Sequence, residues 1–383
     1  MARQRIIMLL DNPLASDARV EKEAASLTKA GHLVTIHAVT HSHLPQKEVR
    51  NGYTIVRDIS TSIDHPFSRD YKTFSAAFVA QLVEEKIDVV HCHDYKMIIL
   101  GAQVVTLQPG IKLIYDAHEF LPGWPLYQEL AGWLNKLKGY LVWKVAVWQE
   151  GKAIQKADAV VTVGHALALE MQKEYGLKKA PTVVRNIPER YDYSPQPNYY
   201  KEKYHLPKDA LVFVHSGNIY HTSERIQMMM EVVLSVKNAY LVFIGDSSRL
   251  KALEKANTNA RVLFHPYAQR EELFMLMHAA DFGIVHTWQP EWRSHWLSLP
   301  NRILEYTMAG LPVIATAQPE FLKLGKEFGN MVFYTGDVFS EMVKAIEQAI
   351  VQKEDLRAKA MAAAQHLSWD AEVQPLLNVY QSL

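Results

Sequence analysis

The sequence predicts an α/β protein built from two doubly wound, parallel-sheet domains. Three observations carry that reading. At 383 residues the chain exceeds one ordinary hydrophobic core and suffices for two. Short apolar runs alternate with helix-periodic stretches from end to end, the pattern of repeated strand–helix units. The apolar runs are continuous rather than alternating, as strands covered on both faces of a parallel sheet require.

Taken in order, strands are expected at 5–10, 33–38, 54–56, 89–91, 112–115, 159–163 and 182–184 in the first half. In the second half they are expected at 211–215, 240–244, 261–264, 282–286, 312–315 and 331–334. Helical patterns lie between several of them, such as 19–30 and 72–85, where Phe74, Phe78 and Leu82 share one helix face. The stretch 188–207 contains Tyr191-Asp192-Tyr193-Ser194-Pro195-Gln196-Pro197-Asn198 and has no apolar period, so it reads as a connection. The expected organisation is therefore a first domain over 1–190, a linker over 191–207, a second domain over 208–365, and a terminal helical segment over 366–383.

Composition removes several classes. Lys+Arg and Asp+Glu both number 41, so no basic field invites nucleic acid. With 49% hydrophobic and 21% charged residues the chain has an ordinary globular balance. A single cysteine, Cys92, excludes an internal disulfide and suits a reducing compartment. The apolar run Ile6–Leu10 is short and ends at Asp11, so it reads as a first strand rather than a leader peptide. No stretch approaches the roughly 20 apolar residues that span a bilayer. The expectation is a cytoplasmic protein.

The most informative segment is Ser298-Leu299-Pro300-Asn301-Arg302-Ile303-Leu304-Glu305-Tyr306, continuing to Ala309-Gly310-Leu311-Pro312-Val313. Pro-Asn opens a helix, and Glu305 falls on the same face as Asn301, one turn deeper. A helix N-terminus offers unpaired N–H groups and partial positive charge to a phosphate. A carboxylate one turn in can accept hydrogen bonds from a sugar diol. Together they describe a nucleotide site; the plainer alternative is an amphipathic helix with a solvated Glu305.

This segment resembles the donor-binding motif of retaining glycosyltransferases of family 4, which have the GT-B fold. The resemblance implies two Rossmann-like lobes facing a cleft, with a C-terminal helix crossing back to the first lobe. It implies an activity, transfer of a sugar from a UDP- or GDP-linked donor to a hydroxyl acceptor, glycan or lipid-linked, with retention. It also places roles. Gly217, Asn218 and Arg225 match the family's phosphate-holding turn, where Asn218 stands in place of a basic residue and leaves Arg225 as the main charge. Ser298, Leu299, Asn301, Arg302 and Glu305 complete the donor side. The family's second glutamate, eight residues before Glu305, is Leu297 here, and Ser298 with the N–H groups of Ser298 and Leu299 is expected to take over part of its role.

On the first domain, Asp116-Ala117-His118-Glu119 closely resembles a family run whose histidine meets the donor's sugar and phosphate, so His118 joins Glu305 as a catalytic candidate. Asp17, Arg19 and His93 are implied on the acceptor side. His91-Cys92-His93-Asp94 sets two histidines on one side of an extended chain, but no matching cluster completes four ligands, so neither metal nor other cofactor is expected. The segment 288–296 reads either as a sugar-stacking loop or as plain surface. The segment 124–156 mixes Trp124, Trp133, Trp143 and Trp148 with lysines, which reads either as a helix packed on the first domain or as a peripheral membrane contact. Rival functions are a GT-B-shaped epimerase or phosphorylase and a non-enzymatic bilobed sugar-binding protein.

Overall fold

In a computed structural model, residues 3–64, 68–217, 223–287 and 289–383 are described. The chain divides into two compact units. One comprises Met1–Asn186, Trp292–Ser294 and Glu372–Leu383; the other comprises Ile187–Glu291 and His295–Ala371.

The first unit carries an eight-stranded sheet. Its strands are β1 (Arg5–Leu9), β2 (Leu33–Val39), β3 (Lys47–Arg50), β4 (Tyr53–Ile59), β5 (Val89–His93), β6 (Lys112–Ala117), β7 (Ala159–Thr162) and β8 (Thr182–Val183). Their spatial order is β3-β4-β2-β1-β5-β6-β7-β8. Every pairing is parallel except β3 with β4. That hairpin went unread in the sequence although Asn51-Gly52 signals it. Both residues have positive φ, 48° and 86°, as the two-residue turn that matches strand twist demands.

The second unit carries β9 (Leu211–Ser216), β10 (Ala239–Ile244), β11 (Val262–His265), β12 (Phe282–Val285), β13 (Val313–Thr316) and β14 (Met331–Tyr334), all parallel, in the order β11-β10-β9-β12-β13-β14. In each sheet the strand order reverses beside the first strand, between β1 and β5 and between β9 and β12. Ligand crevices form beyond the carboxyl ends of strands at such switch points. The central strands are buried along almost their whole length, as their continuous apolar runs require.

The first unit ends at Asn186 and takes in Glu372–Leu383, close to the expected divisions at 190 and 366. The 191–207 stretch is packed rather than a free linker: it contains the short helix Tyr199–Lys203, and Tyr191, Tyr193, Tyr199, Tyr204 and Leu206 lie against the second unit's core. Tyrosines spaced without period bury their rings while their hydroxyls find partners, Tyr193 on His278 at 3.2 Å and Tyr199 on His265 at 3.0 Å. At the chain's end, Glu372 pairs with Arg185 at 2.8 Å and the Tyr380 hydroxyl meets His91 Nδ1 at 2.9 Å, tying the terminal helix into the first unit.

Candidate active site

In the second unit the site forms where β9 ends. The helix Asn301–Met308 follows the extended Pro300 and stops at Gly310 (φ +70°), where Leu311 N–H donates to Tyr306 O and Gly310 N–H to Thr307 O. Its Tyr306 side chain is fully buried. The hydroxyl accepts from Ser216 N–H at 2.9 Å and donates to Val214 O, locking the helix against the end of β9. The chain then turns at Gly217, with φ +83°, a conformation that glycine adopts without steric cost. A Cβ there would lie 3.4 Å from Arg302 Nη2, so the turn and this guanidinium are neighbours. Arg302 Nη1 donates to His215 Nε2 at 2.6 Å, while His215 Nδ1 faces Ile284 O at 3.2 Å. A cation is thus held beside a glycine turn and a helix N-terminus.

Glu305 is buried and paired with Arg270, a partner that the sequence reading missed because it lies 35 residues away on a different helix. Arg225 is paired with Asp337 at 2.8 Å; Asp337 also contacts His286 Nε2 at 3.1 Å. Burial opposes ionisation of Asp337, but hydrogen bonds from His286 and Arg225 hold it below the usual carboxylate range. Arg302, besides Arg225, is thus a cation in the second unit, and it lies beside the Gly217 turn. The expectation for Ser298 is corrected: its N–H and hydroxyl both donate to His295 O, at 3.3 and 2.8 Å. Leu299 is buried in the core, and Leu297, at the sequence position of the family's second glutamate, is buried too. Asn301 is exposed at the helix start. Asn218 lies outside the described residues.

In the first unit, β5 and β6 end side by side and deliver His93, Asp94, Asp116 and His118 to one place. Asp116 is completely buried and accepts from Arg19 Nε at 3.1 Å and Nη2 at 2.8 Å. His118 stands between two carboxylates, 3.3 Å from Asp94 and 3.4 Å from Asp116. Burial disfavours its charged form, but Asp94 and Asp116 outweigh that and hold its pKa well above the ordinary histidine value. For Asp116, burial is overcome by Arg19 and His118, which keep it ionised far below the usual range. The two flanking carboxylates therefore favour the charged form of His118.

Glu23, His91, His93 and Asp116 also converge, with their potential ligand atoms within 4.8 Å of one another, all buried. The sequence reading saw the histidines but not the two acids that join them. The chain's own cation stands inside this group: Arg19 lies 3.1 Å from Glu23 and 2.8 Å from Asp116. Burial raises the Glu23 pKa to about 8 despite Arg19, and burial lowers that of His93 to about 3, so both are neutral beside the Arg19–Asp116 pair.

The three acceptor-side candidates lie around the same geometry. Arg19 is 3% exposed and committed to Asp116 and Val184 O, and His93 is fully buried behind His118. Asp17 caps the helix Ala18–Lys29 by accepting from Val20 N–H. All three thus have partners within the first unit. The segment 288–296 is anchored where it is described: Arg293 pairs with Glu170 and covers the Phe120 ring, and Ser294 Oγ donates to Glu119 at 3.0 Å. Trp288 lies outside the described residues.

Two parallel-sheet α/β units with these constellations at their strand ends define the GT-B class. Residues 19–186 match the family model described as Glycosyltransferase Family 4, and residues 210–352 match that of Glycosyl transferases group 1. The chain belongs to the family 4-like glycosyltransferases and is a transferase. Solved structures share the fold across the whole chain. Sucrose-phosphate synthase from Thermosynechococcus elongatus aligns with TM-score 0.75 at 14% identity, covering 99% of both chains. Anabaena HepE, solved with UDP-glucose, gives 0.68 at 17%, covering 100% of both. WaaG, a glycosyltransferase involved in lipopolysaccharide biosynthesis, gives 0.64 at 16%, covering 98% of both. No curated protein matches the chain.

Proposed function

We propose that the chain moves a sugar, with retention, from a UDP- or GDP-linked donor to a hydroxyl of a glycan or lipid-linked acceptor. The observation that carries this reading is the meeting of Gly217, Arg302 and the Asn301 helix start, with buried Glu305 one turn deeper. In this reading the diphosphate lies on the helix N-terminus with Arg302 and Arg225, and the ribose diol donates to Glu305. The base lies against the chain near 262–267. As the donor bond breaks, negative charge grows on the leaving diphosphate, and fixed cations and N–H groups meet it without reorganising. That role needs no metal. His118, held as a cation between Asp94 and Asp116, sets its positive charge near the reacting sugar or phosphate. The test is a panel of nucleotide sugars with an acceptor, reading acceptor-dependent release of nucleoside diphosphate and the anomeric configuration of the product. Release without an acceptor, or inversion, contradicts the reading.

We place the chain on the cytoplasmic side, in peripheral contact with a membrane through the helix Trp133–Ile154. No described helix is long and apolar enough to cross a membrane. At 100° per residue, Leu134, Leu137, Leu141, Val145 and Trp148 fall within about 40° of one line, with Lys138 and Lys144 on either flank. All five are exposed, Trp148 by 62%, and the only acid of this helix, Glu150, is buried. An exposed apolar stripe edged by lysines fits an anionic bilayer surface, and the lysines would repel one another across a symmetric contact between two copies. The chain should float with phosphatidylglycerol-containing vesicles, and Leu141→Glu should abolish flotation; wild-type chain left at the bottom of the gradient removes this contact.

A further inference from the structure

The opposite face of the same helix closes a cavity of about 490 Å³, a size ordinary for small-molecule sites. Asp11 follows β1 and Asp94 follows β5, and both line the cavity, so it sits at the strand-order switch of the first sheet. Its lining is divided. Leu121, Trp124, Tyr127, Val142 and Trp143 give it an apolar and aromatic part, whereas Asp11, Asp94, Lys96 and Glu119 give it a polar part; buried Glu150, which accepts from the Tyr115 hydroxyl, also lines it. The aromatic wall is preformed: Trp143 Nε1–H donates to Leu121 O at 3.0 Å, and the Tyr127, Tyr140 and Trp143 rings pack at 5.3 to 6.0 Å between centroids. Asp94 is the same carboxylate that stands 3.3 Å from His118, and it is held at φ +62°, a backbone conformation rarely adopted by non-glycine residues and concentrated at functional sites.

We propose that this cavity is the acceptor site and takes an acceptor with an apolar alkyl body, whose hydroxylated head lies against the polar part at Asp94 and Glu119. The inference rests on the transferase reading and narrows its acceptor to an amphiphile. An acceptor that is only a polar sugar would leave the aliphatic lining, Leu121, Leu130, Val142 and Ala146, without a partner. An alkyl body shields that lining from water, and carboxylates of the polar part accept from hydroxyls of the head. Asp94 then couples the acceptor head to His118 in one hydrogen-bonded line.

The test uses the full chain with n-octyl β-D-glucoside below its micelle-forming concentration, against methyl β-D-glucoside, by calorimetric titration. The octyl compound should bind at least about tenfold more tightly. Ala146→Trp, which fills the cavity, should remove that advantage, whereas Leu141→Glu on the outer face should keep it. Equal binding of the two glucosides overturns the proposal, as does an octyl preference that survives Ala146→Trp or is lost in Leu141→Glu. UDP and GDP are titrated into every protein. A circular dichroism spectrum and thermal melt like those of the wild type certify the fold of Ala146→Trp; if that variant does not fold, Val142→Trp blocks the same space. Absence of binding of both UDP and GDP to the wild-type chain sinks the donor assignment alone and leaves the glucoside comparison to judge the cavity.

Discussion

Glu305→Ala lowers turnover by a few hundredfold, about 3–4 kcal/mol of transition-state stabilisation, while leaving the fold almost unchanged. The two effects separate because Glu305 has two kinds of partner. In the protein alone it pairs with Arg270, whose side chain is 43% exposed. Breaking a pair with one solvated member costs up to about 1 kcal/mol, since water replaces the lost carboxylate. A ribose diol enclosed against the same carboxylate has no such substitute, and a buried hydrogen bond to a charged group is worth more than a neutral one. Steady-state kinetics alongside thermal melts therefore distinguish the roles. A large fall in activity with a nearly constant Tm is the expected pattern, and near-normal activity refutes the ribose assignment. Arg302→Ala should weaken nucleoside diphosphates far more than nucleosides, which lack the phosphates it faces.

Asp116→Ala has the largest expected effect on stability. The carboxylate is completely buried and is the main counter-charge of Arg19, itself 3% exposed. Truncation leaves a buried guanidinium without that partner and His118 beside one carboxylate instead of two. Removing one member of a buried pair costs about 3–5 kcal/mol, which in a unit of this size lowers Tm by on the order of 10 °C. The double substitution Arg19→Met with Asp116→Leu recovers much of that loss, because apolar groups of similar volume require no counter-charge. The double variant nonetheless stays poorly active, since His118 has lost a carboxylate that favours its charged form. Thermal melts of the single and double variants decide the matter, and a single variant as stable as wild type contradicts the account.

Much of this architecture was legible because parallel strands write themselves as unbroken apolar runs. Val89–His93 and Phe282–Val285 are read directly from such runs, with ends displaced by a residue or two where polar side chains such as His93 still belong to the sheet. The edge hairpin escaped because its outer strand, Lys47–Arg50, is polar and half-exposed, although Asn51-Gly52 marks its turn. The connection at 191–207 escaped for a different reason: its tyrosines bury rings singly, without the period that marks a helix or strand. Motif spacing set Glu305 one helical turn beyond Asn301 and His118 at a strand end. It could not reveal that Arg270 meets Glu305, that Asp337 already holds Arg225, or that Arg19 turns inward to Asp116. Those pairings join residues 35, 112 and 97 positions apart, and only the folded sheet order brings them together.

The account stands on a pentose gripped by Glu305 and a diphosphate seated at the Asn301 helix start. A crystal structure of the chain with UDP tests this most directly. The ribose hydroxyls should lie within hydrogen-bonding reach of the Glu305 carboxylate, about 2.6–3.2 Å, with the phosphates at the Asn301–Arg302 N–H groups and the Gly217 turn. Density for the nucleotide elsewhere, or a ribose turned away from a Glu305 still engaged with Arg270 alone, would contradict it.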